Sequence, residues 1–226
     1  FYSYFLVKDN SEPINFSVPT GNFGDVYAGY LAKKIGLPIN KFIVATNQND
    51  ILHRAITNGA YNVENVSETI SPSMDIQIAS NFERLIFDLN NHSDKKTIDV
   101  MKSIKEKGKY EIQKENLDKI NVDFLSSRMD ENEVLNTIKT VYEKFDLVLD
   151  PHSAIGYGAF DKVDLKGNNI VLATAHPCKF PSAIEKAINI KAELPDELAF
   201  ILDEKENYDI IKNSVDNVKQ YIKEKI

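Results

Sequence analysis

The spacing of apolar and polar positions changes several times along this chain, and each change marks an element. Ile14 to Val18 is a short apolar run between two prolines and reads as a strand. After the turn Pro19–Asp25, Val26, Tyr27, Tyr30, Leu31 and Ile35 recur at helical spacing until Gly36 stops them. Lys41 to Thr46 reads as a second strand. A helix capped by Asn49 or Asp50 then runs to about Asn58, where Gly59 closes it. This alternation of strand and helix is the rhythm of a parallel α/β sheet. A loop from Ser71 passes into a helix around Ala79–Leu89, with Asn81 as a cap for its helical turns beginning at Phe82.

From about Ser93 to Phe145 the pattern shifts. Glycine nearly vanishes, charge density rises, and Ile98, Met101 and Ile104, then Val134, Leu135, Ile138, Val141 and Tyr142, keep a 3.6-residue period. This stretch reads as a helical insertion, with a break or short extended piece near Ile120–Leu125. The α/β rhythm resumes at Asp146–Asp150. It continues through a small-residue helix over Ala154–Phe160, a strand at Ile170–Ala173 and a helix from Pro181 to Ile190. The expected organisation is an α/β frame over 1–92 and 146–192, a helical insertion over 93–145, and a helical tail over 193–226. Phe1–Leu6 begins without Met and in mid-pattern, and reads as the end of a helix whose start lies upstream.

Composition changes this picture only at its edges. The 226 residues are 42% hydrophobic and 27% charged, an ordinary profile for a packed domain. The net charge of -7 argues against a general nucleic-acid or anionic-membrane binder, which needs a positive field. No apolar run approaches the roughly 20 residues of a membrane span. The single cysteine, Cys178, allows no internal disulfide and fits a reducing compartment such as the cytoplasm. His53 and His92 show no metal-ligand spacing, so no metal is expected.

The turn Thr20–Asp25 carries the first candidate chemistry. A Gly-containing turn between a strand and a helix presents main-chain N–H groups to an anion. Read alone, the same turn is also a plain strand-to-helix connection with Asn and Asp as caps. His152 and His176 each sit beside a proline in a loop, where a histidine serves either as a proton shuttle or as a structural hydrogen-bonder.

Six blocks then fall in one order. Pro19-Thr20-Gly21-Asn22-Phe23-Gly24-Asp25 resembles the phosphate-binding loop of threonine synthases, and the helix Ala28–Pro38 is similar to the one that follows it there. Ala45-Thr46-Asn47-Gln48-Asn49-Asp50, Ser71-Pro72-Ser73-Met74-Asp75-Ile76 with Ser80-Asn81-Phe82-Glu83-Arg84, Asp150-Pro151-His152-Ser153-Ala154, and Ala173-Thr174-Ala175-His176-Pro177 with Lys179-Phe180 resemble further blocks of that family. The resemblance runs from Pro19 to Phe180.

It implies the tryptophan-synthase-β fold type (fold type II) of enzymes that use pyridoxal 5'-phosphate (PLP), here the large domain. It also implies the conversion of O-phospho-L-homoserine and water to L-threonine and phosphate. By the same resemblance Gly21, Asn22, Phe23, Gly24 and Asp25 would cradle the cofactor phosphate, and Thr174 would offer its hydroxyl to the pyridine nitrogen. Arg84, Lys179, His152 and His176 are the substrate-side candidates. The family's cofactor-holding lysine lies in an F-K-D context far upstream of the phosphate loop. Val7-Lys8-Asp9 is only superficially like it and lies too close to that loop. The chain is therefore expected to be a C-terminal portion whose partner is the missing N-terminal part, and to be inactive alone. The alternatives are a related fold type II lyase, or a non-enzymatic phosphate- or nucleotide-binding α/β module.

Overall fold

The computed structural model describes residues 1–8 and 12–226. Asp9, which completes the Val7-Lys8-Asp9 triplet, lies outside the described residues. In chain order the elements are α1 (Tyr2–Val7), β1 (Ile14–Pro19), α2 (Gly24–Lys34), β2 (Lys41–Thr46), α3 (Ile51–Asn58), β3 (Ala60–Asn62), α4 (Phe82–Leu89), α5 (Asp94–Lys107), β4 (Lys109–Glu111), α6 (Lys114–Asp123), β5 (Phe124–Arg128), α7 (Glu131–Phe145), α8 (Pro151–Asp161), β6 (Asn168–Val171), α9 (Pro181–Ile188) and α10 (Val215–Lys225). Short 3-10 turns occupy Pro72–Met74, Pro177–Lys179 and Asp196–Leu202.

Four strands form one parallel sheet in the order β5-β2-β1-β6. β1 is buried along its whole length, as a central strand covered on both faces must be. Alternate residues of the sheet serve two cores. Phe16, Phe42, Val44 and Phe124 join Phe23, Tyr27, Tyr30 and the apolar faces of α2, α3 and α4 on one side. Ile43 and Ala45 join Met129, Ile138, Ala154, Ile155 and Ile184 on the other. β3 and β4 pair as a separate antiparallel ribbon.

α8 is buried from Pro151 to Ala154 and beyond, which explains its small residues and weak polar face. A Cβ on Gly156 would lie 3.0 Å from Pro19 Cγ and 3.1 Å from Val171 Cγ1, so glycine lets this helix lie directly on β1 and β6. The Ser17 hydroxyl donates to the Gly156 carbonyl and ties the two together.

Two expectations need correction. The 93–145 stretch is not a purely helical insertion, because β5 inside it pairs with β2 and forms an edge of the main sheet. Phe124 is buried there against Phe42 and Tyr30, and that apolar contact draws the segment into the sheet. Asp146–Asp150 forms no strand. Asp146 ends α7 in a left-handed conformation, and the next residues run irregularly to the cap of α8. Asp50 and Asn81 stand at helix N-cap positions without a side-chain cap bond. The Asp50 carboxylate instead accepts from Arg54 and pairs with Arg128.

Residues Glu193–Ile226 make a second compact unit. Within it Ser214 caps α10 by accepting the Asn217 N–H. Among the described residues no helix is long and apolar enough to cross a membrane.

Candidate functional site

The four parallel strands end on one side of the sheet, and their outgoing loops converge there. In parallel α/β sheets this carboxyl edge is where ligands bind. A cavity of about 280 Å³ opens at this edge, lined by the Pro19–Asp25 turn, Ser73, Met74, His152, Thr174, Ala175 and Lys179.

The Pro19–Asp25 turn is held from below. The Thr20 N–H donates to the Ala45 carbonyl, so the first residue after β1 still follows β2. Phe23 is fully buried against Tyr27, Phe82 and Phe124, and adopts a left-handed φ of 70° to get there. That aromatic anchor turns the preceding main chain toward the cavity. The Asn22 side chain accepts the Gly24 N–H at 2.9 Å, and the Asn22 carbonyl accepts the Asn81 N–H. Among the described residues the N–H groups of Gly21, Asn22, Phe23 and Asp25 have no protein acceptor. These donors stand at the N-terminus of α2, where the helix dipole also favours an anion.

Gly21 is required by contact. A Cβ there would lie 2.9 Å from the Ser73 carbonyl oxygen and 3.3 Å from Met74 Cα, both main-chain atoms. The opposing Ser71–Asp75 segment is fixed by Asp75. Its carboxylate accepts from the side chains of Asn47 (2.8 Å) and Asn49 (2.9 Å), and from the N–H and hydroxyl of Thr69. Thus the two asparagines that follow β2 hold the far wall of the cavity in place.

Asp150 organises the remaining wall. It is 1% exposed and caps α8 by accepting the N–H groups of His152 and Ser153. One of its oxygens also accepts His152 Nδ1–H at 2.9 Å, and the other accepts the Ser153 hydroxyl. Burial raises the Asp150 pKa, but the hydrogen bonds from His152 and Ser153 outweigh it and hold the carboxyl below its ordinary 3.8. With Nδ1–H committed to Asp150, His152 Nε2 accepts the Ser73 N–H at 3.3 Å, and the ring packs against Phe180. Both ring nitrogens are therefore engaged by the protein.

The structure brings Gly21–Asp25, His152, Thr174 and Lys179 to one cavity. It does not bring Arg84 there; that residue is exposed on α4. His176 is exposed as well, and its Nδ1 accepts the Cys178 N–H at the start of the turn that carries Lys179. Ser73, Met74, Asp150 and Ser153 escaped assignment from sequence. Their blocks were visible, but nothing in a linear pattern says that Ser73 faces His152 across 79 residues.

A family model described as "Threonine synthase, C-terminal" matches residues 153–222. The threonine synthase of Pseudomonas aeruginosa is 40% identical over 212 residues, covering 92% of this chain and 45% of that protein. The PLP-bound threonine synthase structure from Brucella melitensis superposes with a TM-score of 0.86 at 42% identity, covering 94% of this chain and 46% of that one. The yeast threonine synthase structure gives the same TM-score at 37% identity, covering 99% and 50%. The chain thus spans about half the length of the relatives it matches. In sequence and in fold alike, it is a relative of the threonine synthases, and it corresponds to about half of such a protein.

Proposed function

We propose that the protein carrying these residues is a PLP-dependent threonine synthase, converting O-phospho-L-homoserine and water to L-threonine and phosphate in the cytoplasm. The observation that carries this reading is the meeting, in one cavity, of the N–H-rich Pro19–Asp25 turn with Thr174 and Lys179 of a loop far from it in sequence. The four unpaired N–H donors, and a glycine closely opposed by main chain, fit a phosphate seat. PLP, when bound, supplies a ring that draws electrons away from the substrate's α carbon.

In this reading Gly21, Asn22, Phe23, Gly24 and Asp25 hold the cofactor phosphate with main-chain donors, the Asp25 carboxylate itself staying in solvent. The Thr174 hydroxyl meets the pyridine nitrogen, which it can satisfy without forcing a proton onto it. Lys179, at the mouth, faces the substrate phosphate. His152 orients the Ser73 segment rather than moving a proton, since both its ring nitrogens are occupied. The lysine that holds the cofactor and the opposite wall of the site come from the rest of the protein.

Two measurements test this. The complete protein, supplied with PLP, is expected to release phosphate and threonine from O-phospho-L-homoserine, whereas the 226-residue chain alone yields no threonine; threonine from the chain alone would refute the division of labour. Lys179→Ala in the complete protein is expected to raise KM for the phosphorylated substrate about tenfold, with a smaller change in PLP affinity. An unchanged KM removes Lys179 from the substrate site.

A further inference from the structure

Thr174 lies three residues beyond the end of β6, past the last ladder bond to β1, the Leu172 N–H to the Ser17 carbonyl. Among the described residues, the N–H groups of Ala173 to His176 donate one hydrogen bond, from Thr174 to Ser153 Oγ at 3.1 Å. Ser153 itself is 2% exposed in the first turn of α8, a helix seated directly on the sheet. Among the described residues a single N–H hydrogen bond thus ties the segment that carries Thr174 to the rest of the fold, and its acceptor is a buried hydroxyl.

A serine hydroxyl has one proton and two lone pairs. The Asp150 carboxylate can only accept, so the Ser153 hydroxyl donates its proton's hydrogen bond there and turns a lone pair toward the Thr174 N–H. We propose that Ser153, oriented by Asp150, is a positioning residue that sets where the Thr174 hydroxyl stands in the cavity. The other oxygen of the same carboxylate orients His152 toward the Ser73 N–H. One buried acid thereby fixes two walls of the site, Ser73–Met74 on one side and Thr174 on the other. The serine acts through Thr174 and lies outside the residues that line the cavity.

The second arm of the test rests on the PLP reading above; the first does not. In the first, the complete protein without cofactor is followed by amide hydrogen exchange. Ser153→Ala is expected to speed exchange of the Thr174 amide about tenfold while the amides of β1 keep their protection, and Ser153→Thr, which retains the hydroxyl, restores the wild-type rate. In the second, PLP titration of Ser153→Ala gives about tenfold weaker binding and a displaced absorption maximum, again restored by Ser153→Thr. Wild-type exchange at Thr174 in Ser153→Ala overturns the proposal. So does faster exchange throughout β1 and β6, which makes the hydroxyl a folding contact only, as would a variant that fails to fold. Faster exchange with an unaltered spectrum and affinity also overturns it. If the wild-type protein binds no PLP, the assigned function fails, and the exchange arm alone decides the tether.

Discussion

Gly21→Val is expected to weaken PLP binding by about 30- to 150-fold, the cost of overpacking the site by roughly 2–3 kcal/mol. The reason is geometric. The new Cβ would meet the Ser73 carbonyl oxygen at 2.9 Å and Met74 Cα at 3.3 Å. Main-chain atoms cannot rotate away as a side-chain tip can. The Ser71–Asp75 segment cannot retreat easily either, because Asp75 is held by Asn47, Asn49 and Thr69. The Pro19–Asp25 turn would have to lift, carrying its free N–H groups away from their present positions. Gly24→Ala is the comparison. There the nearest atoms are side-chain atoms of Asn22 and Asn81, which can shift, so the loss should be several times smaller. Fluorescence titration of both variants checks the order. A Gly21→Val protein that binds PLP as tightly as Gly24→Ala would show that the two walls do not need their present spacing.

The second large effect is expected at Asp150. Each of its carboxylate oxygens accepts one main-chain N–H and one side-chain donor. In Asp150→Asn, one of those oxygens becomes an NH₂ group that must face a buried N–H. Donor meets donor whichever way the amide is turned. The expected loss is about 3 kcal/mol, or roughly 6–12 °C in melting temperature for a domain of this size. The pH dependence has a definite sign. The carboxyl titrates below 3.8 in the folded protein, so its contribution is present in full above that value and is lost as pH falls through the folded pKa. The gap between wild type and Asp150→Asn should therefore be widest near neutrality and narrow on acidification below about pH 4. Urea melts at stepped pH measure it; a gap that widens toward acid would mean the carboxylate is not stabilised as described.

Much of the fold was legible because its elements advertise themselves locally. Lys41–Thr46 contains the continuous apolar run Phe42–Ala45, as a strand covered on both faces must, and the structure places β2 on those same six residues. Gly59, expected to close a helix, does so with a left-handed φ of 82°, a conformation glycine adopts without penalty. β5 was expected only as a break or short extended piece near Ile120–Leu125, and its place in the main sheet escaped the sequence for a physical reason as well. Phe124–Arg128 is short, has polar flanks and lies between helices, so its local period is uninformative. What makes it a strand is the free edge of β2 and the room for Phe124 beside Phe42.

The candidate site divides along the same line. The order of residues in the Pro19–Asp25 turn was enough to suggest an anion seat, because two glycines between a strand and a helix set out main-chain donors by local geometry alone. The sequence also named Thr174, His152 and Lys179. It could not say that those three share a cavity while Arg84 lies exposed on α4 outside its lining, nor that His152 spends both ring nitrogens on Asp150 and Ser73. Those facts depend on strand order, on the direction each loop leaves the sheet, and on which buried carboxylate lies within hydrogen-bonding distance. Local patterns record backbone preference over a few residues. Contacts between residues 79 apart are chosen only when the whole sheet and its helices have packed.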